Sequence, residues 1–119
     1  SWNRLVPGHC NLDLVSDYVK QGIHQAGGTP AEFGVIAACD GIAQGHDGMH
    51  FILPTRDLIA NDVELMVQAH CLDAVVLLGG CDKTVPAQLM GAIKSPITAA
   101  VGRAGSRPNA PTSRGSAAA

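Results

Sequence analysis

Two Cys-Asp pairs, Cys39-Asp40 and Cys81-Asp82, are the residues of this chain best suited to chemistry, and Lys83 directly follows the second. Paired carboxylates suit a hard cation such as Mg²⁺, which takes one or two carboxylates plus substrate oxygens. An Asp in that setting also caps a following turn or helix, which by spacing alone is its commoner role. Lys83 is either a solvated charge or, beside a metal, a group that binds or modifies a substrate. Cys81 is either an ordinary buried thiol or a soft ligand for iron. The loop Gly41-x3-Gly45-x2-Gly48 follows an apolar run as a phosphate loop would, yet it matches neither GxGxxG nor GxxxxGK[ST]. His46 and His50 have the spacing of a helical metal pair, although Gly45 and Gly48 disfavour that helix. His70 closes a helical stretch, where a histidine suits the dipole.

For these groups to act together, the chain must bring residues 39–40 and 81–83 to one place. Leu14, Val15, Tyr18, Val19, Ile23 and Ala26 recur at helical spacing, which predicts a helix over 13–26 with Asp13 as N-cap and Gly27-Gly28 as its stop. Residues 33–38 form a short apolar run without alternation, as in a strand buried on both faces. A second helix is predicted over about 54–70, with Leu58, Ile59, Val63, Met66 and Val67 as its apolar stripe. Residues 74–78 read as a second buried strand and 86–93 as a further short helix. Strand, helix and strand in this order predict a βαβ unit, with parallel strands and a right-handed crossover. Both strands then end on one rim, where open α/β sheets bind ligands, and each ends in a Cys-Asp pair. The expected fold class is α/β: a short parallel sheet with flanking helices over 1–101. Residues 102–119, with no large apolar side chain, are expected to form a disordered tail.

Composition excludes several function classes. The chain of 119 residues is 46% hydrophobic but only 15% charged, and just four residues are aromatic. Its core must therefore be built from aliphatic side chains. No stretch is apolar for long enough to cross a membrane, and no secretory signal is expected at the amino end. All ten acidic residues lie at or before Asp82, whereas three of the eight basic ones, Arg103, Arg107 and Arg114, lie beyond residue 101. An acidic body argues against a nucleic-acid groove. The four cysteines show neither CxxC nor a compact disulfide framework, which points to reduced thiols and a cytoplasmic setting, or an organelle lumen after import.

Longer motifs add a family. Cys39-Asp-Gly-Ile-Ala-Gln-Gly-His-Asp-Gly-Met49, Leu53-Pro-Thr-Arg-Asp-Leu-Ile-Ala60, Asp62-Val-Glu64 and Cys81-Asp-Lys-Thr-Val-Pro86 together resemble the dihydroxy-acid dehydratase and phosphogluconate dehydratase family. Pro7-Gly-His9, Ala26-Gly-Gly28 and Glu32-Phe33 fit the same pattern, so the resemblance covers about residues 2–94. The segment 53–60 is closer to the dihydroxy-acid enzymes, while sugar-acid and phosphogluconate dehydratases stay open as alternatives. The resemblance implies a hydro-lyase that converts a small 2,3-dihydroxy carboxylic acid to a 2-keto acid, using an iron–sulfur cluster and Mg²⁺. It places Asp40 and Asp82 on the family's magnesium ligands, Lys83 on a lysine that ligates when carbamylated, and Cys81 on a cluster ligand. It implies a homo-oligomer for the complete enzyme.

Several features depart from that family. Its further cluster cysteine, magnesium-binding Glu and catalytic Ser lie downstream and have no counterpart here. The pattern dissolves after Ile93, and Ala87 stands where a Gly is common. Some members carry a cluster cysteine directly after the proline matching Pro7; here that residue is Gly8, and Cys10 is two residues away. The chain alone is therefore expected to be an inactive amino-terminal portion. A small non-catalytic α/β ligand-binding module is the rival reading.

Overall fold

The computed structural model describes residues 2–103. A 3-10 turn at Pro7–His9 leads into helix α1, Leu12–Gln25. Asn11, not Asp13, occupies the N-cap position, and Asp13 lies in the first turn, where its Oδ1 accepts the Leu14 N–H at 2.8 Å. The helix ends as Gly27 and Gly28 require. Gly27 has φ +85°, its N–H donates to His24 O at 3.0 Å, and Gly28 N–H donates to Ile23 O at 2.9 Å. These two bonds satisfy carbonyls that the helix end would otherwise leave orphaned.

A one-turn helix α2, Asp40–Ala43, and a 3-10 segment, Asp47–Phe51, precede the long helix α3, Ile52–Ala69. Strand β1, Ala74–Gly79, helix α4, Thr84–Lys94, and strand β2, Thr98–Arg103, complete the described chain. β1 and β2 are parallel, paired from Ala74 with Thr98 to Gly79 with Arg103. The architecture is α/β with a short parallel sheet, the fold class expected from the sequence.

The crossover unit is not the one that periodicity selects. It is β1–α4–β2, whereas residues 33–38 pair with neither strand of the two-stranded sheet. That segment instead turns Phe33 and Val35 onto the core and leaves Ile36 exposed. Phe33 and Val35 are thus partly covered by packing alone, without a ladder. β2 escapes sequence reading because Thr98-Ala-Ala-Val-Gly-Arg is poor in strand formers. Gly102 and Arg103 belong to it, although composition assigns them to the tail; residues 104–119 lie outside the described part of the chain.

The core joins α3 to the sheet. Ile59, Val63 and Val67 of α3 meet Val75 and Leu77 of β1 and Ala87 of α4. They recur every four residues, so one face of α3 is buried while Leu58 on another face stays exposed. α3 and α4 approach closely because Gly91 carries no side chain: a Cβ there would lie 2.8 Å from Val63 Cβ and 2.9 Å from Ala60 O. Ser95 caps the end of α4 by donating its hydroxyl to Gly91 O at 2.9 Å. This packing fixes the end of β1, and with it the loop 80–83 that carries the candidate chemistry.

Candidate metal-binding rim

The loop after β1 is pinned from the amino end of the chain. His9 is fully buried, and its Nε2 accepts the Gly80 N–H at 2.9 Å. Gly80 must be glycine for this contact, since a Cβ would lie 2.5 Å from Gly8 O. The Pro7–His9 turn is thereby locked to the loop that presents Cys81, Asp82 and Lys83. Composition alone gives no hint of this positioning role. The motif Pro7-Gly-His9 is its only trace in sequence.

The second half of the rim comes from α2. Cys39 is its extended N-cap residue, with φ −117° and ψ 120°, and Asp40 is its first helical residue. A helix starting there places Cys39 and Asp40 on the same rim, although continued strand alternation would send neighbours to opposite faces.

Asp40, Asp82 and Lys83 are brought together. Lys83 Nζ donates to Asp40 Oδ2 at 2.7 Å and to Asp82 Oδ2 at 2.6 Å. The Lys83 and Asp40 side chains are 20% and 24% exposed, whereas Asp82 at 62% faces solvent. Asp40 Oδ1 is buried and has no hydrogen-bond partner. That orphaned acceptor is costly as it stands, because a buried carboxylate oxygen normally finds a donor or a cation. The two carboxylates, Asp40 foremost, push the Lys83 ammonium above its ordinary range, against a smaller opposing effect of burial. Lys83 in turn holds the Asp82 carboxyl below its ordinary value.

Cys81 lies beside this triad. Burial first, and then the neighbouring Cys39, Asp82 and Asp40, push its thiol up to about 11. All four cysteines are free. Cys10 is exposed and donates weakly to Asn11 Oδ1 at 3.7 Å; Cys71 is exposed at the far end of α3. Neither joins the rim.

His46 and His70 serve the backbone. Gly48 N–H donates to His46 Nδ1 at 3.0 Å, so Nε2 carries the proton and donates to Ile42 O at 2.9 Å. With both ring nitrogens occupied, His46 closes the glycine-rich loop. His70 Nδ1 lies 3.0 Å from Met66 O at the end of α3. Among the described residues no three His, Cys, Asp or Glu side chains converge on a metal-sized point, and no helix is long and apolar enough to cross a membrane. The donors assembled here are thus two carboxylates around one ammonium, next to two thiols.

Comparison with known proteins agrees with the motifs. Residues 1–117 match the family described as Dihydroxy-acid/6-phosphogluconate dehydratase N-terminal. A protein of Ignicoccus hospitalis named dihydroxy-acid dehydratase is 58% identical over 94 residues, which are 79% of this chain and 17% of that protein. One of Methanoregula boonei with the same name is 56% identical over 97 residues, 82% of this chain and 18% of its own length. One of Caldicellulosiruptor saccharolyticus is 55% identical over 94 residues, again 79% and 17%. The chain therefore spans less than a fifth of the curated relatives it matches. By that match over nearly its whole length, it belongs to the dihydroxy-acid/6-phosphogluconate dehydratase family and carries the family's amino-terminal region.

Proposed function

We propose that this chain forms the metal-binding rim of a hydro-lyase that dehydrates small 2,3-dihydroxy carboxylic acids to 2-keto acids. The observation that carries the reading is the convergence of Asp40, Asp82 and Lys83, with Asp40 Oδ1 buried and unpartnered. That oxygen fits a hard cation, and the ammonium between two carboxylates shows that the rim already demands positive charge. Asp40 and Asp82 would hold Mg²⁺, with Lys83 as a further oxygen ligand once carbamylated. Cys81 would bind the iron–sulfur cluster, for which its protonated thiol must first lose a proton. When bound, the two groups supply charge stabilisation at the carbon losing its proton and a Lewis acid for the departing hydroxyl.

The chain's own residues prepare this rim. His9 and Gly80 fix the loop, so that Lys83 reaches back to α2. Carbamylation requires a neutral Lys83 amine, which adds CO₂ and releases one proton. The neighbouring carboxylates oppose that loss while they lack another counterion. Among the described residues the rim offers two carboxylates and two thiols, fewer than the several thiolates a cluster normally takes. The remaining ligands and the general base would come from the length that the relatives have beyond this match.

The test is a transplant. Residues 1–101 replace the matching segment of the Ignicoccus hospitalis relative, and the chimera is loaded anaerobically with iron, sulfide and Mg²⁺. Formation of keto acid from 2,3-dihydroxyisovalerate in preference to sugar acids, abolished by Asp40→Asn, is the expected result. A folded, metal-loaded chimera without turnover on either class would overturn the proposal.

A further inference from the structure

Between α1, the segment 28–35 and β1 lies a cavity of about 730 Å³, a volume typical of small-molecule sites. Its walls are hydrocarbon: Val19 and Ile23 of α1, Phe33 and Val35 of the segment, Val75 and Leu77 of β1. The apolar run that joins no sheet therefore helps to wall this space. Asp40, Cys81, Asp82 and Lys83 are not among the lining residues, so the cavity is separate from the metal-binding rim.

Two features narrow what the cavity would hold. Gln88 of α4 lines it, and this residue is 1% exposed. Its Nε2 donates to Leu78 O at 2.9 Å, which sets the direction of the amide and leaves Oε1 buried without a hydrogen-bond partner. Gly79 makes room for that oxygen, since a Cβ there would lie 2.6 Å from it. A buried amide oxygen in this position calls for an N–H or O–H donor. The charged lining residues are Lys20, Glu32 and Asp73, and Lys20 is already paired with Glu32 at 3.0 Å and with Asp17 at 2.8 Å. The surplus charge is negative and disfavours an anion, while the hydrocarbon walls disfavour any unpaired charge.

We propose that this cavity binds a small uncharged molecule, mostly hydrocarbon, that donates a hydrogen bond to Gln88 Oε1. The site does not rest on the dehydratase reading, and either can fail without the other. A ligand there bridges α1 and the segment 28–35 to the sheet, so its binding also stabilises the fold by mass action.

Trp2 is the single tryptophan and one of the lining residues, so its emission reports filling of the cavity. The unaltered chain is titrated with three molecules of similar shape: cyclohexanecarboxamide, its methyl ester analogue without a donor, and the cyclohexanecarboxylate anion. The amide should shift the emission to saturation. The ester should bind about three- to tenfold more weakly, and the anion more weakly still. Nuclear Overhauser effects should run from the cyclohexyl protons to Phe33, Val75 and Leu77. Gln88→Met keeps the length of the side chain but removes the acceptor, and should erase the preference for amide over ester.

An emission unchanged by all three molecules would overturn the proposal. Equal binding of amide and ester to the unaltered chain would overturn the role of Gln88, and with it the class of ligand. Overhauser effects confined to residues outside the cavity would place the ligand elsewhere and also end the proposal. Should Gln88→Met not fold, the amide-to-ester ratio and the Overhauser effects in the unaltered chain decide the question.

Discussion

Lys83 and Asp40, 43 residues apart in sequence, are joined by a 2.7 Å ion pair between the loop after β1 and the first residue of α2. The pair ties the two Cys-Asp segments into one rim, and Asp82 adds a second carboxylate to the same ammonium. Lys83 and Asp40 are both mostly shielded from solvent, so their pair is screened less than a surface ion pair would be.

The first prediction concerns acid. Lys83 depresses the Asp82 carboxyl below its ordinary 3.8, so the ionised form is favoured in the folded state. Its contribution to stability is fully present above 3.8 and is lost as pH falls through the lower folded value. Asp82→Asn removes that dependence. Urea midpoints of the two proteins should therefore differ more at neutral pH than below 3.8, and a constant difference across that range would contradict the ion pair.

Gly91 is where α3 and α4 touch. Ala at this position would place its Cβ within 3 Å of a backbone oxygen and of Val63, so the helices must separate. The helix-propensity gain of about 1 kcal/mol does not offset overpacking of roughly 1–3 kcal/mol. Gly91→Ala should lower the urea midpoint without changing the far-ultraviolet circular dichroism of the folded state.

Cys71 presents the opposite case. It ends α3 with φ 49°, the left-handed conformation that favours glycine, and its N–H donates to Gln68 O at 3.2 Å. Cys71→Gly keeps that bond and relieves strain, which should raise stability by up to about 1 kcal/mol in denaturant titration.

These positions also show how far the sequence can be read. The Gly27-Gly28 stop of α1 and the Ile59, Val63, Val67 face of α3 follow from local spacing, because their partners lie within a turn or on one helix face. Residues 33–38 do not form a strand, since an apolar run records burial and not the presence of a hydrogen-bonding neighbour. β2 is hidden for the converse reason: its Ala and Gly residues pair through the backbone and carry little side-chain signal. Asp40, Asp82 and Lys83 are legible as a group because both segments end on one side of the molecule, even though one of them is not a strand. The direction of Cys39 is not legible, because it depends on a helix starting one residue later. Nor is the buried bond from Gly80 to His9, which links residues 71 apart.

The most direct test of the rim is whether Mg²⁺ and CO₂ bind it together. The chain would be titrated with Mg²⁺ in isotopically enriched bicarbonate while NMR follows the carbamate carbon. The account predicts a carbamate signal on Lys83 that grows with Mg²⁺, disappears in Lys83→Ala, and needs more Mg²⁺ in Asp40→Asn and Asp82→Asn. A chain that binds Mg²⁺ equally well with and without Asp40 and Asp82, and forms no Mg²⁺-dependent carbamate, would contradict it.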